Sequence, residues 1–168
     1  LLSLARVRKG HLKLKHASLT DVVRDSLSSL DLQYPGASAR VSIGELPHIE
    51  MDVALMGHVY MNVIGNALKY GAATADLQVW VEAHAWPDRS GWRCQVRDNG
   101  PGFDGSRAFE IYDPFVCLSP TDNTGTGLGL PLVKRIIECH HGTVGAESEA
   151  DQGAVFWWDL PTRQPVGT

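Results

Sequence analysis

The sequence is short of several things that would decide its class at once. It has three cysteines, Cys94, Cys117 and Cys139, widely spaced and without a C-x-x-C pair. That excludes a disulfide framework and a cysteine-based zinc site, and suits a reducing, cytoplasmic setting. No run approaches the ~18 apolar residues of a membrane span, and no signal-peptide pattern is read within these residues. There is no excess of basic residues: net charge is −4, against the basic face expected of a nucleic-acid binder. Internal repeats and low-complexity tracts are absent. Nucleotide signatures of the common kinds are missing too. No G-x-x-x-x-G-K-[ST] loop occurs, no H-R-D or D-F-G, and no glycine-rich turn in a βαβ unit with a later ribose-binding acid.

What remains is an ordinary globular composition, with 43% hydrophobic and 20% charged residues over 168 positions, enough for one domain with a real core. The alternation in "HLKLKHASLT" predicts a first strand, and Thr20 or Ser18 is placed to cap a helix over 21–34, ended by Pro35-Gly36. Residues 39–52 read as a strand region broken at Gly44 and Pro47, with Asp52 as N-cap of the next helix. "DLQVWVEAHA" and "WRCQVRD" flank the turn-rich "WPDRSG" and predict a hairpin. Residues 108–115 suggest a short helix or turn. Residues 128–142 return to helical spacing, with Gly142 as stop, and 143–150 with 153–161 form a closing hairpin. The order is α+β: one mixed sheet of about five strands covered on one face by about three helices.

The stretch "MNVIGNALKYG" raises the chemical question. It has helical spacing, yet Asn62 and Asn66 sit four apart and Lys69 follows three later. Asparagine is a poor helix former. At 100° per residue the three fall within about 60° of one another, beside the apolar arc of Met56, Val59, Tyr60, Val63 and Ala67. A solvated face would use Glu, Lys and Gln. A row of amide oxygens ending in an ammonium instead suits Mg²⁺ held by phosphate, with Lys69 as a point charge on that phosphate.

Two further segments fit the same ligand. "DNGPG" follows an apolar strand. Gly100 and Gly102 let a flat ring approach the backbone, and Asp98 offers a carboxylate to an amine. Adenine presents such a donor where guanine presents a carbonyl, so Asp98 discriminates between them. "GTGLGL", Gly125 to Leu130, opens a helix, where successive N–H groups and the helix end attract an anion.

In this order, N-x-x-x-N-A-x-K-Y, D-N-G-x-G and G-T-G-L-G-L closely resemble the N, G1 and G2 boxes of the sensor histidine kinases. "IYDPF" resembles their F box, with Tyr112 where Phe is usual, and "GAVFWWDLP" the last strand of their catalytic domain. The likeness runs over roughly residues 1–162. It implies a Bergerat-type two-layer α/β sandwich that binds ATP and Mg²⁺. It divides the chain into residues 1–10, the tail of an upstream dimerisation helix and linker; 11–165, the catalytic domain; and 166–168, a terminal tail. It gives Asn66 to Mg²⁺, Asn62 and Lys69 a catalytic role around the phosphates, and Tyr70 the flank of the nucleotide. Asp98 would recognise adenine in a pocket shaped by Gly100 and Gly102. Gly125, Thr126, Gly127, Leu128, Gly129 and Leu130 would wrap the phosphates.

Related ATPases that hydrolyse ATP carry Glu where this chain has Asn62, which cannot act as a general base near neutral pH. The family's phosphoacceptor is a His followed by an acid, and none of His11, His16, His48, His58, His84, His140 or His141 has that context. The acceptor is expected on a preceding dimerisation domain, and a response regulator as the final recipient, in a homodimeric parent that a membrane segment could anchor. The isolated chain is then expected to bind ATP without labelling itself. Between Arg107 and Lys134 there is no Lys or Arg, so the lid, about 116–124, lacks a basic residue often found in the family. That leaves two alternatives in play: a pseudokinase that signals by shape, and an anti-sigma-type serine kinase, which would lack a preceding dimerisation helix.

Overall fold

The computed structural model describes residues 7–8, 11–117 and 126–165. The expected upstream helix tail (apart from Val7 and Arg8), Gly125, the polar lid residues 119–124 and the terminal tail 166–168 lie outside the described residues.

Strand β1, Leu14–Ser18, runs into helix α1, Leu19–Gln33. Of the two candidate caps the structure uses Ser18, whose hydroxyl accepts from the Asp21 N–H at 3.3 Å. Val22, Val23, Leu27 and Leu30 line its buried stripe. After Pro35, Gly36 adopts a left-handed φ of 81° and starts a single extra turn, α2, Ala37–Arg40, which the sequence pattern does not announce.

The region 39–52 divides where Gly44 and Pro47 predict, and its halves join different sheets. Strand β2, Val41–Ile43, enters the main sheet, whereas β3, His48–Asp52, pairs antiparallel with β1 in a separate two-stranded ribbon. Helix α3, Val53–Tyr70, follows, with the Asp52 carboxylate accepting from the Leu55 N–H at 3.1 Å. Strands β4, Val79–Ala85, and β5, Gly91–Asp98, form the expected hairpin. Residues 108–115 are a succession of turns after a single 3₁₀ turn at Gly105–Arg107. Helix α4, Gly129–Cys139, leads to the closing hairpin β6, Thr143–Ser148, and β7, Ala154–Pro161.

The main sheet has the order β2-β4-β5-β7-β6, with β2–β4 parallel and the rest antiparallel. One face carries Val79, Val81, Cys94, Val96, Phe156, Trp158 and Leu160, all buried under the helices. The other carries Trp80, Arg93, Arg97 and Trp157, with each arginine stacked 4.0 Å over a tryptophan ring. The architecture is thus the expected α+β sandwich, with a mixed five-stranded sheet and three long helices on one side.

Candidate functional site

Helix α3 sets the site, and its register is fixed at its start. Asp52 caps its start, and the Asp52 N–H in turn donates to His140 Nε2 at 3.0 Å, which ties α3 to the end of α4. Met56, Val59, Tyr60, Val63, Ile64 and Ala67 are buried. The polar row is therefore held at the margin of the core, with Asn62, Asn66 and Lys69 half-buried. The Asn62 amide donates to His58 O, one turn back, at 2.7 Å. Its oxygen faces the first turn of α4: a Cβ on Gly129 would lie 2.7 Å from Asn62 Oδ1. The Lys69 ammonium sits 5.0 Å from the centre of the Tyr70 ring.

Two cavities adjoin along this row, and Asn66 and Tyr70 line both. The first, about 280 Å³, is further walled by Gly71, Asp98, Gly102, Phe103 and Phe156. The second, about 300 Å³, has Asn62 and Lys69 on one side and Cys117, Thr126, Gly127, Gly129 and Leu130 on the other.

In the first cavity Asp98 is 8% exposed, and its Oδ1 accepts from the Gly100 N–H at 2.8 Å. Burial pushes this carboxyl above the usual carboxylate range; backbone N–H groups of Gly100 and Ala154 oppose that in part. Asn99 holds the turn in place: its Oδ1 accepts from the Gln78 N–H at 2.7 Å and its amide donates to Asp76 O at 2.9 Å. The two glycines serve differently. Gly102 has φ +66°, and a Cβ there would meet Glu149 O at 2.4 Å. Gly100 lines neither cavity; its lack of a side chain leaves room for the Asp98 carboxylate, 2.9 Å from where a Cβ would stand.

At the second cavity Gly127 has φ +64° and its carbonyl accepts from the Phe115 N–H at 3.0 Å, which joins the 111–115 turns to the glycine segment. Tyr112 is buried and donates to Gly145 O at 2.9 Å, so its hydroxyl anchors those turns to β6. Leu128 lines neither cavity and is the N-cap residue of α4. The sequence reading did not single out Gly71, Phe103, Phe156 or Cys117 as lining residues. Their only signals are apolar character and position after a motif, which core residues share.

Among the described residues no three His, Cys, Asp or Glu side chains converge as a metal cage, and no helix is long and apolar enough to cross a membrane.

Residues 51–164 match the family described as histidine kinase-, DNA gyrase B-, and HSP90-like ATPase. The chain belongs to that family. Among curated relatives it is 32% identical to the sensor protein KdpD of Escherichia coli over 167 residues, 96% of this chain and 18% of that protein. It is 34% identical to the alginate biosynthesis sensor protein KinB of Pseudomonas aeruginosa over 168 residues, 96% of this chain and 27% of that one. Among solved structures, full-length ShkA in complex with AMPPNP superposes with a TM-score of 0.76 at 28% identity, covering 98% of this chain and 35% of that one. This histidine kinase-like ATPase domain thus spans about a fifth to about a quarter of the curated relatives. It is an ATP-binding catalytic domain of the sensor histidine kinase type.

Proposed function

We propose that residues 11–165 bind ATP with Mg²⁺ and transfer its γ-phosphoryl group to a histidine on a dimerisation domain of the same parent protein, for relay to a response regulator. The observation that carries this is the pair of adjoining cavities that share Asn66 and Tyr70, one ending in Asp98 and the other in Lys69 and the glycine turn.

Adenine lies in the first cavity. Its amine donates to Asp98, and Phe103 and Phe156 supply apolar surface for the ring. Tyr70 lies where base and ribose meet the phosphates. In the second cavity the backbone of 126–130 and the start of α4 offer N–H groups to phosphate oxygens, and Gly125 extends the same segment. Lys69 adds positive charge. The donors suit Mg²⁺, since an amide oxygen is a hard neutral ligand and the row holds no thiolate. Asn66 would hold it, and the chemistry it would supply there is positive charge against the phosphates. Asn62, fixed by its bond to His58 O and turned toward Gly129, supports the row and does not deprotonate water. Phosphoryl transfer rests mainly on positioning and charge neutralisation, so a site without a base can serve an acceptor that arrives from another domain. We place the site in the cytoplasm, within a homodimer.

A second reading, a pseudokinase that responds to ATP by shape alone, is favoured by the absence of Lys and Arg between Arg107 and Lys134. One experiment separates them. The parent's preceding helices are restored and the protein is incubated with γ-labelled ATP and Mg²⁺. Acid-labile, alkali-stable label on a histidine is expected. Nucleotide binding without label supports the pseudokinase.

A further inference from the structure

We propose that His16 and His48 form a two-imidazole site for a late first-row divalent metal ion on the outer face of the β1–β3 ribbon. The register places His16 opposite Glu50 and Ser18 opposite His48, so the two histidines are diagonal neighbours on one face. Strand alternation turns Ile49 and Met51 into the core and leaves both histidines exposed. Their rings are stacked with centres 6.0 Å apart and planes 28° from parallel. Two imidazoles on one ion, each at a metal–nitrogen distance of ~2.0–2.1 Å, have ring centres about 5 Å apart. The closure required is about 1 Å, within reach of side-chain rotation on an exposed surface.

The surroundings favour a cation. Glu50 and Asp52 share this face by register. Glu50 is held in place, its Oε2 accepting from the Gln164 N–H at 2.8 Å. Imidazole nitrogen selects zinc, nickel or copper over magnesium, which prefers oxygen. Water completes the coordination. No ribbon residue lines either nucleotide cavity, so the two sites use separate ligands. A bound ion would cross-link the ribbon whose last residue, Asp52, caps α3, and would stabilise the folded domain by RT ln(1 + c/Kd), with c the free metal concentration.

The test is titration of Zn²⁺ and Ni²⁺ into the whole chain, without nucleotide, by calorimetry and by imidazole ¹⁵N shifts. A single equivalent is expected to bind and raise the melting temperature, with shifts confined to His16 and His48. H16Q and H48Q should each weaken binding at least about tenfold, while H84Q keeps it and Mg²⁺ produces no shift. The proposal fails if neither metal binds, if either glutamine variant binds as the parent does, or if the shifts fall on other histidines.

Discussion

At the residue scale the decisive group is Asp98. Its pKa is raised because burial opposes charge on the carboxylate. In the free domain this raised value adds stability below the ordinary carboxylate value of about 3.9, lost as pH rises through the folded one. An amine donor reverses the preference, since it pairs with the ionised form. ATP binding should therefore release protons and weaken as pH falls through the raised value. Calorimetry in buffers of different ionisation enthalpy checks this; proton uptake would contradict it. Asp98→Asn should keep the fold and weaken ATP binding at least about tenfold. Asn66→Ala should remove most of the gain in nucleotide affinity that Mg²⁺ gives, read as the ratio of affinities with and without the ion.

Polar members of the site were legible from residue type and spacing. Asn62 and Asn66 break the expected composition of a helix surface, Lys69 follows them on the same side, and Asp98 ends an apolar strand. Phe103, Phe156 and Gly71 were not legible. A hydrophobic residue that lines a pocket obeys the same periodicity as one that fills the core, and only the third dimension separates them.

At the scale of elements, the site depends on how α3 and α4 are joined. His140 is fully buried; its Nδ1 lies 2.8 Å from Ile136 O and donates to it, which leaves Nε2 to accept the Asp52 N–H. Burial lowers its pKa, the largest effect, partly offset by the bond to Ile136. The unfolded chain thus binds a proton more readily, and this linkage costs stability as pH falls below the ordinary imidazole value of about 6.5. His140→Ala should cost about 2–4 kcal/mol, from a cavity and an unpaired buried N–H, and should flatten the acid side of the stability profile in denaturant titrations. Gly102→Ala should cost about 1–3 kcal/mol through backbone strain, with further loss from the contact with Glu149 O.

Apart from the single turn of α2, the helices and strands were legible from period and turn residues, including the break at Gly44 and Pro47. The sorting of β2 and β3 into different sheets was not, nor was the insertion of β7 between β5 and β6. Strand adjacency is a long-range choice made by packing, and local alternation reads the same in either arrangement.

At the scale of the whole molecule, a single core joins the ribbon, the helices and the sheet, so the two cavities form on a frame that folds with them. None of the seven histidines has the sequence context of an acceptor. The chain alone should bind ATP yet carry no stable phosphate after incubation with γ-labelled nucleotide, and autoradiography of the purified domain tests this. No Lys or Arg occurs between Arg107 and Lys134, and binding is expected to be weaker than nanomolar until the preceding helices are present.

The most direct measurement is calorimetric titration of this domain with ATP and with GTP, each with Mg²⁺. One ATP per chain is predicted, with GTP at least about tenfold weaker and ATP heat lost in Asp98→Asn. No heat with ATP, or equal affinity for both nucleotides, would contradict the assignment of the two cavities to adenine and phosphate.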